Sequence, residues 1–485
     1  MITFLVCVAI LIAGYFIYGG VVNRIIGPDD AHPTPAVRMA DGVDYVRLPW
    51  WKVLLTQFLN IAGLGPIFGA VSGAMFGPVA FIWITVGCIF IGSVHDMLVG
   101  YISLKHDGLS ISELVGLYLG KWARWIMIGF SLLLLMLVGV VFMMPPAAWL
   151  ESRFPLGSLG IAPNFVWLMV VVFYFVLATV LPINKLIAKI FPLFSIMMLL
   201  MCVLLFGGIL VQIFQGDAQM VEFTFNTPHP AGLNAMPFLL VTIACGAVSG
   251  FHATKSPMMA RCLEKESQTQ RVFFGAMIIE GIVALIWAAV AMALFGDRFW
   301  GADPQTVGAL GGPGYVVDSM SFMLLPEFLA YFLVIIAILL VPITSADTGF
   351  RSMRMIIGDA MKMDQTKLLN RIYICLPMFA IAVAITFVDF DIIWRYFAWS
   401  NQTLAAVALW TGAAWLVVNH KFHWIGTLPA TFLTWLSVAY ILQAPVEGFG
   451  IDATISNIIG TLAALLTLGL FMKATPVMRA RKPVV

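Results

Sequence analysis

The sequence predicts an all-α polytopic membrane protein of about thirteen transmembrane helices, N-out and C-in, with two five-helix halves of opposite topology at its centre. Three observations predict it. Hydrophobic residues make up 61% of the 485 and charged residues 10%, against about 45–50% and about 25% in soluble domains. Apolar runs of roughly 20 residues, enough to cross about 30 Å of hydrocarbon, recur along the chain. The basic residues then fall on alternate connections, as expected when they collect on the cytoplasmic side.

The first run, 2–20, lacks a basic leader and is read as a retained span. Further spans are expected at 52–75, 78–102, 123–145, 163–183, 187–214, 235–257, 271–296, 326–347, 371–388, 393–418, 424–443 and 453–473. With the N-terminus outside, only Arg153, Arg298 and Arg395 of the 26 basic residues are left on the outer side. A miscounted helix in the middle would scramble that asymmetry. The chain accordingly divides into 1–51, an extra helix plus a cytoplasmic gate segment; 52–214, the first five-helix repeat; 235–418, the second, inverted; and 424–485, two further helices and a basic tail.

The second span contains "NIAGLGPIFGAVSGAMFG", in which Gly63, Gly65, Pro66 and Gly69 interrupt an apolar helix near mid-depth. Glycine and proline cost a helix roughly 1 and 3 kcal/mol relative to alanine. The seventh span, carrying Gly246, Ser249, Gly250, His252 and Pro257, repeats the pentapeptide GAVSG of 69–73, and Gly63–Pro66 and Cys245–Gly250 both fall roughly halfway along their spans. A broken helix offers unpaired N–H groups to a carboxylate and unpaired C=O groups to a cation, and hydrocarbon tolerates it only where something satisfies them. Gly63, Gly65, Gly69, Gly246, Ser249 and His252 are therefore the candidate substrate-binding residues. Close packing of small residues is the competing reading of the same glycines.

The ninth span ends in "VPITSADTGFRSMR", where Thr344, Ser345 and Thr348 supply hydroxyl oxygens of the kind hard cations take, and Asp347 a carboxylate. The alternative is local bonding, with Asp347 paired to Arg351 one turn on. Glu280, at mid-depth in the eighth span, must be paired or protonated. With His95, Asp96 and Asp347 it forms the set of candidate proton-coupling or gate residues, a static hydrogen bond for Glu280 and a satisfied structural pair for His95 and Asp96 being the competing readings. Trp399, Ser400, Asn401 and Gln402 make a polar patch whose role, pore lining or helix packing, stays open. Six scattered cysteines suggest no disulfide framework, and no H-x-x-x-H or C-x-x-C spacing points to a metal site. The segment 21–51 leads directly into the first break and is placed to act as a gate, and 297–325 forms a long outer loop able to carry a short helix that closes over the outer vestibule.

With "DGVDYV", "IAGLGPIFG", "GSVHD", "SGFHATKSP" and "SADTGFRS" in this order, the chain resembles the carbon starvation protein A family. The resemblance implies peptide uptake during nutrient limitation, with pyruvate import in some members, and the leucine-transporter-type fold of the amino acid, polyamine and organocation superfamily. It also implies that Thr344 and Ser345 belong to a sodium site completed by backbone carbonyls near Ala62 and Gly65. The expected function is thus a secondary active importer of the cytoplasmic membrane. Its partners are a small-molecule substrate and the lipid bilayer, it needs no cofactor beyond Na⁺ or H⁺ as coupling ion, and the net charge of +2 gives no reason to expect nucleic acid. A pyruvate or small-carboxylate symporter is the nearest alternative; a nutrient sensor or intramembrane enzyme belongs to another class. Absent G-x-x-x-x-G-K-S/T, H-E-x-x-H and G-x-S-x-G patterns argue against ATP hydrolysis and catalysis.

Overall fold

A computed structural model describes residues 1–41, 45–155, 165–180, 184–224, 229–300, 312–364 and 367–482. Residues 42–44 of the expected gate and 301–311 of the expected long loop lie outside these. Within them the chain is helical, and the one β contact is an isolated parallel bridge between Leu48 and Leu263.

In order, the helices are α1 (Ile2–Ile26), α2 (Pro35–Arg38), α3 (Trp50–Ile61), α4 (Gly65–Phe76), α5 (Val79–Lys105), α6 (Ile111–Tyr118), α7 (Lys121–Arg153), α8 (Phe165–Val180) and α9 (Asn184–Gln215). The second half continues with α10 (235–242), α11 (Phe251–Ala260), α12 (Gly275–Trp300), α13 (Gly312–Leu324), α14 (Glu327–Gly358), α15 (Leu368–Ile385), α16 (Phe390–Val418), α17 (Trp424–Gln443) and α18 (Ala453–Arg479).

Among the described residues, ten helices are long and apolar enough to cross a membrane, or eleven if the bent pair α3 and α4 is one span. The chain is a multi-pass membrane protein. The two expected spans not in that count are α8, of which 16 residues are described, and the region 235–260, cut into α10 and α11. Two expected boundaries move furthest. The helix expected at 123–145 runs through Pro145 and Pro146 to Arg153, and the one expected to end at 347 continues beyond it, so the Thr344–Ser352 hydroxyls lie inside α14.

Local chemistry sets the helix ends. Asp389 caps α16 by accepting from the backbone N–H of Asp391 at 2.9 Å, and Asp452 caps α18 by accepting from that of Thr454 at 2.8 Å; each satisfies a donor the first turn leaves orphaned. Ser110 and Glu113 form a reciprocal capping box on α6. The spans then sort by enclosure: 83% of the apolar stretch of α5 and of α16 is buried, against 22% for α1 and α18. The most enclosed helices surround the two breaks, and α1 and α18 face the lipid.

One face of the molecule carries Lys105, Arg261 and Lys265, and is here called the basic face. There Glu266 accepts from the Tyr101 hydroxyl, the Lys105 ammonium and the Asp29 backbone N–H, each at 2.9 Å. Thr34 donates to the Leu263 carbonyl at 2.6 Å, Tyr45 to that of Asp107 at 2.8 Å, and Arg38 pairs with Asp107. The segment leading into the first break is thereby laced to the connections after α5 and α11.

Candidate functional site

α3 stops at Ala62, whose φ of −80° and ψ of 63° leave the helical region. The chain resumes at Gly65, bent by 57°, through a π-helical turn over Gly65–Gly69. The second break spans the residues between Thr242 and Phe251, where Gly246 adopts φ +91°, a conformation that glycine takes without strain. The two breaks touch. A Cβ on Gly65 would lie 2.2 Å from Cys245 Cβ and 2.3 Å from its sulfur, and one on Gly69 would lie 3.1 Å from the Thr242 carbonyl oxygen. No side chain fits at Gly65, so its glycine is a condition of the contact.

The free backbone groups of the second break are met largely by α16. Asn401 Oδ1 accepts from the Phe251 N–H and from the Ser249 hydroxyl, both at 2.9 Å. The Asn401 carbonyl accepts from the Gly250 N–H at 3.1 Å. Gln402 donates to the Leu240 carbonyl at 3.0 Å, and the Trp83 indole donates to that of Ile243 at 3.0 Å. The polar patch on α16 therefore braces a helix break. Its sequence signal was two amides in an apolar helix; which break they serve depends on tertiary packing.

His95, Asp96, His252 and Glu280, drawn from α5, α11 and α12, converge in one fully buried cluster. Asp96 lies 2.8 Å from His95 Nδ1 and 3.0 Å from His252 Nδ1, and Glu280 stands 3.5 Å from His252 Nε2. Asp347 is apart from this group, 3.4 Å from Arg351.

Of the expected cation-site hydroxyls, Thr344 donates to the Val341 carbonyl at 2.9 Å and Thr348 to that of Ser345 at 3.0 Å, within their own helix. Ser345 differs. Its buried hydroxyl has no hydrogen-bond partner among the described residues and faces the first break, 2.9 Å from where a Cβ on Gly63 would stand. Ala62, immediately before Gly63, is fully buried.

Two cavities reach the breaks from the face opposite the basic one. The larger, about 670 Å³, is lined by Phe68, one turn past the first break, with Trp149, Tyr315, Asp318 and Phe387. The second, about 480 Å³, is lined by Val71 and Ser72 of α4, Thr242 at the edge of the second break, and the charged side chains Asp391, Arg395 and Glu447. Phe68 and Trp394, with ring centroids 6.0 Å apart, stand between them. None of Gly63, Gly65, Gly69, Gly246, Ser249 and His252 lines either cavity. The sequence reading missed Phe68, Trp394 and Arg395, which sit in apolar or charged surroundings that carry no motif.

A polytopic helical membrane protein with two helices broken against each other is the class these features define. The sequence profile described as "Carbon starvation protein CstA" matches residues 1–166, 147–309 and 301–439. The chain belongs to that family. It is 37% identical over 340 residues to an uncharacterized membrane protein of Haemophilus influenzae, covering 61% of this chain and 91% of that one. It is 25% identical to the peptide transporter CstA of Bacillus subtilis over 83% of each chain, and 29% identical to that of Escherichia coli, of which it spans about half, 53%. Among solved structures, a mutant form of the manganese transporter of Eremococcus coleocola matches 91% of this chain and 99% of its own, with a TM-score of 0.55 and 15% identity. At that identity the likeness is one of fold.

Proposed function

We propose that the protein is a cation-coupled secondary importer of peptides, with the basic face toward the cytoplasm and the two cavities toward the outside. The observation that carries this reading is the contact between the breaks at Gly65 and Cys245, with the two cavities opening onto their flanks at Phe68, Val71 and Thr242. Paired broken helices at mid-depth are where transporters of this kind hold substrate and ion. The basic-face clamp is closed in this conformation, as alternating access requires when the other side is open.

Peptides are favoured over a small keto acid by size and charge. A cavity of about 670 Å³ falls in the range of sites for drug-sized ligands, about 300–1,000 Å³. In the second cavity Arg395 could take a peptide's carboxylate, while Asp391 and Glu447 suit its ammonium. The unpaired Ser345 hydroxyl beside the first break supports a sodium site there; a proton carried by the His95, Asp96 and Glu280 cluster is the other coupling route.

The test is uptake of labelled dipeptide and pyruvate into proteoliposomes, with sodium and proton gradients imposed separately. Uphill dipeptide accumulation under one gradient is the expected result. Saturable binding without accumulation would overturn transport in favour of a sensor.

A further inference from the structure

Cys245, His252 and Glu280 bring one sulfur, one imidazole nitrogen and one carboxylate oxygen to within 4.8 Å of one another. They come from the second break, the first turn of α11 and the early part of α12, and the latter two side chains are fully buried. Among the described residues neither Glu280 oxygen and not His252 Nε2 has a hydrogen-bond partner, and the Cys245 thiol donates to the Ser249 hydroxyl at 3.4 Å. A carboxylate oxygen and an imidazole nitrogen thus stand 3.5 Å apart inside a membrane, where either a proton on the ring or a bound ion supplies the charge between them.

The surroundings say which charge fits. His252 turns Nδ1 toward Asp96 at 3.0 Å; a ring that keeps its one proton on that side presents Nε2 inward as a lone pair. Asp96 is itself held by His95 at 2.8 Å. This carboxylate-to-imidazole arrangement is what orients histidines that ligate metal. A tetrahedral ion with bonds of about 2.0–2.3 Å needs ligand atoms about 3.5 Å apart, the separation His252 and Glu280 already have. A thiolate beside an imidazole selects a borderline ion over calcium, magnesium or sodium.

We propose that Cys245, His252 and Glu280 bind one borderline divalent transition-metal ion of the Zn²⁺ class, with Asp96 and His95 as orienting partners. Three protein ligands leave a fourth position for water. Binding forms three coordinate bonds and releases the Cys245 thiol proton to solvent. No spacing motif announces the site because its ligands converge from separate helices. The inference does not rest on the transport reading.

The test uses the full chain, purified in detergent and stripped with chelator, titrated with Co²⁺ as a spectroscopic probe. The expected result is one equivalent bound with a sulfur-to-cobalt charge-transfer band. That band should be lost in Cys245→Ser and kept in Cys262→Ser, and affinity should fall about 10- to 100-fold in Asp96→Asn. Alkylation of Cys245 by a small maleimide, read by peptide mapping of the unmutated protein, should slow at least tenfold with Zn²⁺ present. No charge-transfer band, an unchanged band in Cys245→Ser, or no protection by Zn²⁺ would overturn the assignment and leave the cluster to the proton.

Discussion

Gly65 and Cys245 are in contact across the two breaks, with room for no atom between the glycine's α-carbon and the cysteine side chain. Gly65→Ala should therefore push the breaks apart and lower uptake at least tenfold, with the protein still inserted. The double variant Gly65→Ala, Cys245→Gly should recover much of the loss, since the clash is pairwise and such coupled changes are non-additive. Proteoliposome uptake across the four-variant cycle checks this; unaltered uptake in Gly65→Ala would remove the break from the transport pathway.

Ser345 is the hydroxyl aimed at the first break, while Thr348 is spent on its own helix. If sodium is the coupling ion, Ser345→Ala should raise the sodium concentration for half-maximal uptake about tenfold or more, and Thr344→Ala with Ser345→Ala should abolish sodium dependence. Thr348→Ala should shift it far less. Equal effects of Ser345 and Thr348 would refute the assignment.

Arg395 offers the second cavity a guanidinium, held 3.1 Å from Glu447, which in turn accepts from the Tyr440 hydroxyl at 2.5 Å. Arg395→Gln should weaken dipeptide uptake roughly tenfold, in line with loss of one charge-assisted hydrogen bond of about 1.5–3 kcal/mol. A dipeptide amidated at its C-terminus should lose no more in the variant than in the parent. A competition assay with both peptides would show whether Arg395 reads the carboxylate.

Glu266 gathers three donors at the basic face, including a nearly buried pairing with Lys105. Removing one partner of such a pair typically costs about 3–5 kcal/mol. Glu266→Gln should loosen the clamp and raise the labelling of Cys262, whose carbonyl accepts from the Leu48 N–H, by a membrane-impermeant thiol reagent. Labelling several-fold faster is expected; a rate equal to the parent's would mean the clamp holds without Glu266.

The helices and the breaks were legible because their causes are local. Apolar length announces a span, and Gly65-Pro66 or Gly246 announces an interruption. Other features depend on partners distant in sequence: Asn401 meets residues about 150 positions earlier, and Glu266 closes on Tyr101 and Asp29. Charge asymmetry indicates which loops share a side, but it does not reveal that those loops are laced together. The cavities, too, are shaped by Phe68 and Trp394, whose types fit any apolar interior.

Asn401 and Gln402 are neighbours on one rigid helix, yet one grips the start of α11 and the other the last turn before the break. They act as a pin through a hinge. The spacing of adjacent residues on α16 thus sets the gap between the two half-helices. A shift of α16 would reach both half-helices at once through these adjacent side chains.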